Sequence, residues 1–210
     1  MASSANLRLK EGKVLPIMET FFSIQGEGFH SGRAAYFLRI GGCDVGCHWC
    51  DVKDSWDANK HPMIEVSDVL EELYGKSIDT VVITGGEPLM WNLDYLCNKL
   101  KDLGLAIHLE TSGAYPMSGS FDWICISPKK NQDSLLDILK IADELKIIVH
   151  NKNDLKWAKN KQNSVSKSCK LYLQPEWKMK NKVMPYITDF IMENIQWEVS
   201  LQTHKYMNLP

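Results

Sequence analysis

Three cysteines within eight residues are the most reactive feature of this chain. Cys43, Cys47 and Cys50 stand in the spacing Cys-x3-Cys-x2-Cys, inside Gly41-Gly42-Cys43-Asp44-Val45-Gly46-Cys47-His48-Trp49-Cys50-Asp51. Thiolates are soft ligands that suit zinc and iron–sulfur clusters. A cluster of four irons normally takes four cysteines, one per iron. Three thiolates leave one iron open, and an open metal position is where chemistry occurs, as catalytic zinc illustrates beside structural zinc. Two plainer readings stand beside this one: three buried core thiols, since free cysteine packs well, and a closed zinc knuckle. A closed site needs a fourth ligand, and His48 is awkwardly placed for it within the loop.

Other polar groups fall in short runs. Gln25-Gly26-Glu27-Gly28 sets a carboxylate between two glycines, which let the backbone approach a ligand closely. Alone, such a run marks only a turn. Thr84-Gly85-Gly86-Glu87-Pro88 follows a β-branched stretch, and Glu87 there is an acceptor suited to an ammonium. Arg39 ends an otherwise apolar segment; its planar fork grips a carboxylate with two hydrogen bonds. The remaining runs are Glu110-Thr111-Ser112-Gly113, Ser127-Pro128-Lys129, Gln174-Pro175 and Gln202-Thr203-His204-Lys205-Tyr206.

The elements that must position these runs alternate between strand and helix. A short strand running into a polar turn is expected within 14–28, and further strands at 32–40, 79–84, 105–109, 123–126, 146–149, 170–174 and 197–202. Helices are expected at 65–75, 93–103, 135–145, 154–162 and 184–194, with Gly75 and Gly104 as stops. Residues 1–13 read as a flexible leader, and 14–210 as a single domain. Alternation implies a largely parallel sheet with right-handed crossovers. A parallel sheet of six or seven of these strands is too small for a closed eight-fold barrel of about 250 residues. The expected fold is therefore α/β, a partial, open TIM-type barrel of about six parallel strands with fewer or irregular helices. In such barrels functional groups follow the carboxyl ends of strands, where every polar run above lies. Gln202, His204 and Tyr206 alternate, so they share one face if that segment is extended.

The 210 residues carry a net charge of −2 and 44% apolar residues. That balance speaks against a generic polyanion-binding surface, and no nucleic-acid partner is expected. No apolar run approaches the roughly 18 residues of a membrane span, and no signal segment opens the chain. A cytoplasmic location is the expectation, and a reducing compartment suits clustered thiol ligands. Cys97, Cys125 and Cys169 read as core.

Cys-x3-Cys-x2-Cys with Trp49 before the last cysteine resembles the signature of the radical S-adenosylmethionine (SAM) enzymes. In that superfamily the cysteines hold a [4Fe–4S] cluster, SAM chelates the fourth iron, and reductive cleavage gives a 5′-deoxyadenosyl radical. The six polar runs together, across Met18 to Pro210, resemble the 7-carboxy-7-deazaguanine synthases of queuosine biosynthesis. The resemblance implies a lyase that contracts the ring of 6-carboxy-5,6,7,8-tetrahydropterin to 7-carboxy-7-deazaguanine and releases ammonia. The radical takes hydrogen from C6 and the hydrogen later returns, so SAM acts catalytically. It also implies a homodimer and a reductant such as flavodoxin or ferredoxin.

Residue by residue, the resemblance implies that Cys43, Cys47 and Cys50 hold the cluster. Trp49, Cys50, Asp51, Gly86, Glu87, Ser127, Pro128, Lys129 and Gln174 would then meet SAM. Ile24, Gln25, Gly26, Glu27, Arg39, Thr84, His204 and the carboxylate of Pro210 would meet the substrate. There is one departure. The family pattern Cys-Asp-Thr, whose threonine ligates magnesium, here reads Cys50-Asp51-Val52. Valine offers no oxygen, and magnesium requires oxygen ligands. Magnesium dependence is expected to be reduced, with a cation such as Lys53 as a replacement. Two other functions share part of the pattern: a radical SAM activase acting on a partner protein, and a structural metal-binding module. The Gln25 and Gln202 runs argue against the activase.

Overall fold

A computed structural model describes residues 4–210. The chain builds one nine-stranded sheet. Its strands are β1 (Val14–Ile24), β2 (Ala34–Ile40), β3 (Met63–Glu65), β4 (Thr80–Gly85), β5 (Ala106–Thr111), β6 (Trp123–Ile126), β7 (Glu144–Val149), β8 (Lys170–Pro175) and β9 (Trp197–Val199). The order is β3-β1-β2-β4-β5-β6-β7-β8-β9, with β3 and β9 as free edges, so the sheet is open. From β2 to β9 every neighbouring pair is parallel; β1 runs antiparallel to β2 and β3. Seven strands thus share one direction, within the six or seven expected.

Helices α2 (Val66–Glu71), α3 (Asp94–Asp102), α4 (Leu136–Lys140), α5 (Asn153–Gln162) and α6 (Lys180–Glu193) occupy the crossovers, while β5 connects to β6 without one. α4 is shorter than expected. The segment 135–145 carries apolar residues throughout, but its last residues, from Glu144, enter β7. Strand pairing with Lys170 and Leu171 outcompetes helix propensity there. Ser4–Lys10 forms a helix, α1, where a flexible leader was expected. Arg8 pairs with Glu65 at 2.5 Å, and Lys10 O accepts from Asn92 Nδ2 at 3.2 Å. The first three residues of that leader lie outside the described residues.

Successive strand residues face opposite sides, and this alternation sorts the chemistry. On β7, Leu145, Ile147 and Val149 join the apolar core beneath the helices, while Lys146 and Ile148 face an open cavity. On β2, Tyr36, Leu38 and Ile40 belong to that core and Arg39 to the cavity. On β4 the same division separates Val81 and Ile83 from Thr84. Cys97 and Cys125 are buried on α3 and β6, and Cys169 is buried one residue ahead of β8. No helix among the described residues is long and apolar enough to cross a membrane.

Candidate active site

One cavity of about 480 Å³ opens at the carboxyl ends of the strands. Its lining includes Cys43, Cys47 and Cys50, and also Trp49, Asp51, Gly86, Glu87, Ser127, Lys129 and Gln174. Ile24, Gln25, Gly26, Glu27, Arg39, Thr84, His204 and Pro210 line it as well. Of the residues expected at the site, Pro128 alone is missing from the lining; it is buried between two that are present.

The cysteine loop is held by backbone hydrogen bonds. Gly42 N donates to Ser55 O at 2.6 Å, Cys43 N to Trp56 O at 3.1 Å and Cys50 N to Cys47 O at 3.1 Å. Asn131 Nδ2 donates to Gly46 O at 2.9 Å, and Trp91 Nε1 to Gly41 O at 2.9 Å. Glu87 N reaches back to Gly42 O at 2.8 Å. This close approach requires Gly86: a Cβ there would stand 2.3 Å from Gly42 O. All three loop thiols are free and half-buried. Burial pushes the Cys43 and Cys47 thiols up, and the Lys129 ammonium opposes this at Cys47. Three half-buried sulfurs on one pinned loop are the donor set for three irons of a cluster.

The Glu87 carboxylate is engaged within the protein. Its side chain is 1% exposed. One oxygen accepts from Leu89 N at 3.1 Å and Thr111 Oγ1 at 2.5 Å; the other accepts from Ser112 N at 2.8 Å and from Ser112 Oγ. Four donors saturate the carboxylate, so an ammonium ligand meets a turn whose acid is already engaged. Lys129 lies 5.6 Å over the Trp49 ring and donates to Ser127 O at 2.5 Å and Oγ at 2.6 Å. Burial lowers its pKa, partly offset by Cys47.

Across the cavity, Arg39 Nε donates to Glu19 Oε1 at 2.6 Å and its guanidinium sits 5.8 Å over Phe21. Phe21 and Phe37 stack in parallel at 5.1 Å, giving the wall a flat apolar face. Gly26 permits the approach of His204, because a Cβ there would fall 2.1 Å from its Nδ1. Burial lowers the His204 pKa against the pull of Glu27. The terminal run is not extended. Thr203–Met207 is a helix, α7, with Gln202 ahead of it, so the expected shared face is lost. Thr203 N and Oγ1 both donate to Gly26 O, at 2.9 and 3.0 Å, and this turns the chain over the cavity.

The cavity also contains Glu110 and Lys146, which the sequence reading left without a role. A buried lysine in a mid-sheet strand is one signal that could have singled Lys146 out. At Val52 no oxygen donor appears. Asp51 Oδ2 accepts from Lys205 Nζ at 2.7 Å and Gln202 Nε2 at 3.4 Å. Lys53, the expected replacement cation, is outside the lining, 5.7 Å over Trp56. Among the described residues no three His, Cys, Asp or Glu side chains converge on a single metal ion. The side chain at position 52 thus offers magnesium no oxygen, and the neighbouring Asp51 carboxylate is paired with Lys205.

Residues 38–151 match the model of the radical SAM superfamily. A 7-carboxy-7-deazaguanine synthase from Flavobacterium psychrophilum is 50% identical over 210 residues, covering 100% of both chains. This chain belongs to the 7-carboxy-7-deazaguanine synthase family. The family protein from Synechocystis sp. is 46% identical, over 92% of this chain and 93% of its own. The crystal structure of QueE from Escherichia coli superposes with a TM-score of 0.81 at 30% identity, covering 95% of this chain and 99% of the other.

Proposed function

We infer that this protein is a radical SAM lyase. It contracts the ring of 6-carboxy-5,6,7,8-tetrahydropterin to 7-carboxy-7-deazaguanine with loss of ammonia, in the 7-deazapurine pathway to queuosine. The observation that carries the reading is that one cavity joins the three thiols to a polar floor, in a chain identical at half its positions to a synthase of that name.

Cys43, Cys47 and Cys50 would hold a [4Fe–4S] cluster, which would supply the electron for reductive cleavage of SAM. The chain's own residues position the two small molecules. Trp49, Cys50, Asp51, Ser127, Lys129 and Gln174 offer SAM an aromatic face and polar contacts, and the buried Pro128 links Ser127 to Lys129. With the Glu87 carboxylate engaged, the backbone of Gly86 and Glu87 is what receives the SAM ammonium. Arg39 spends Nε on Glu19 and keeps its two terminal nitrogens for the substrate carboxylate, beside Thr84 in the adjacent strand. Ile24 and the Phe21–Phe37 stack flank the pterin ring. Gln25, Gly26, Glu27, His204 and the terminal carboxylate of Pro210 meet its donor and acceptor edge. Val52 leaves magnesium without a hydroxyl ligand, and Lys205 is the cation paired with the adjacent Asp51. A reductant such as flavodoxin or ferredoxin supplies electrons, the working unit is a homodimer, and a reducing cytoplasm is its setting.

The test is anaerobic turnover of cluster-reconstituted protein with SAM, a reductant and the carboxytetrahydropterin, followed by mass spectrometry. The expected product is lighter than substrate by one ammonia, with SAM surviving many turnovers. Deoxyadenosine released without that product would move the substrate elsewhere.

A further inference from the structure

We propose that Lys146 is a positioning residue of this site. It holds Glu27 and Glu110 side by side as ionised acceptors for a ligand edge made of N–H donors. The proposal rests on the functional reading above, because that edge is the aminopyrimidine side of the pterin.

Lys146 lies in the middle of β7, and its side chain is 4% exposed. Its Nζ donates to Glu27 Oε2 at 2.8 Å and to Glu110 Oε2 at 2.9 Å. Glu27 comes from the loop after β1 and Glu110 from near the carboxyl end of β5, so the lysine ties two distant segments into one floor. Each carboxylate is also steered through its second oxygen. Gln202 Nε2 donates to Glu27 Oε1 at 2.9 Å, and Gln25 Nε2 to Glu110 Oε1 at 3.3 Å. Both acids line the cavity and are about one-fifth exposed, at 19% and 22%. A carboxylate has about four acceptor sites, which leaves capacity on each for a ligand.

A buried ammonium without counter-charges sheds its proton. Burial does pull Lys146 down, but the facing Cys125, Glu110, Glu27 and Glu144 outweigh it, and its pKa stands well above the usual lysine range. Burial would likewise raise Glu27; Lys146, with help from Gln202 and His204, instead holds its carboxyl at about 2. The other charged groups facing this floor are Lys129, after β6, and Glu144, two residues before Lys146. Glu144 is turned towards Phe29 N and Trp123 Nε1, at 3.1 and 3.2 Å. Three carboxylates around one buried lysine leave the floor rich in acceptors. Such a floor favours N–H donors and repels an anion, whose place is at Arg39 across the cavity.

The experiment uses the reconstituted holoenzyme with Lys146→Met and Lys146→Arg. It reads iron per chain, KM, kcat and the pH profile of kcat/KM with the carboxytetrahydropterin. Lys146→Met is expected to keep its iron and to raise KM by about tenfold or more, the worth of hydrogen bonds to a charged group. Its kcat/KM should fall towards the acid side of neutrality, because burial then acts on Glu27 against only Gln202 and His204 and favours uptake of a proton. Lys146→Arg keeps the charge and should restore the wild-type pH profile. Wild-type KM and pH profile in Lys146→Met would overturn the proposal. If Lys146→Met does not fold, Lys146→Arg decides: a raised KM with an unchanged profile supports the role, and a loss confined to kcat overturns it. A wild-type enzyme that fails to convert the pterin sinks the functional reading instead.

Discussion

On one side of the cavity the reactive groups come from eight consecutive residues, and backbone hydrogen bonds pin them. On the other side Glu27, Glu110, Lys146 and Gln202 come from four separate segments, and side-chain hydrogen bonds bring their polar groups together. The spacing of the first half is set along the chain, and Glu87, Trp91 and Asn131 then pin the loop from outside. The second exists only when β5, β7, the loop after β1 and the C-terminal turn have all docked. The difference suits two tasks. A cluster needs thiols at near-constant spacing, whereas a substrate floor needs donors and acceptors that match a single molecule.

The largest break in this comparison is Cys47→Ala. Iron binding and turnover should fall to background while far-UV circular dichroism and the thermal midpoint of the cluster-free protein stay at wild-type values, because no sheet contact runs through that thiol. A midpoint that drops with the thiol would join the two halves and end the distinction. Glu87→Ala should do the opposite and act first on stability. It strands Thr111, Ser112 and Leu89 donors around a buried site, at a cost of about 3 kcal/mol or more, read as a shifted denaturation midpoint.

Acid should dissolve the floor in a defined window. The Glu27 carboxyl is depressed from 4.5 to about 2 in the folded protein. Its contribution, of the order of 3 kcal/mol, is fully present above pH 4.5 and is lost as pH falls from there through about 2. Denaturation followed against pH should show that loss in wild type and a much flatter response in Glu27→Gln. Equal slopes would place the acid sensitivity elsewhere. The smallest expected effect is at Val52. Wild type should keep most of its turnover after magnesium is removed, and Val52→Thr should gain stimulation by the ion. Strict magnesium dependence in the wild type would show that the missing hydroxyl has no consequence.

Much of this was legible beforehand. Hydrophobic alternation placed β6 at Trp123–Ile126 to the residue and the other parallel strands to within a few residues. The polar runs at the strand ends do converge on one cavity. The misses share a cause. Residues 135–145 read as one helix because an apolar run has no visible boundary until Glu144 pairs with Lys170. The shared face of Gln202, His204 and Tyr206 was conditional on an extended segment, and alternation cannot show that Thr203 will bond to Gly26, 177 residues away, and start a helix.

The sequence by itself determined the cluster loop, the class of fold and the family, because these depend on spacing along the chain and on patterns of period two and 3.6. It also determined that position 52 carries no oxygen. Only the tertiary structure decided that Lys205 rather than Lys53 stands beside Asp51, that the Glu87 carboxylate is consumed inside the protein, and that Lys146 sits between two acids. Ion pairing at such distances is a property of which strands become neighbours, and nothing local to a lysine reveals which carboxylate the folded sheet will bring to it.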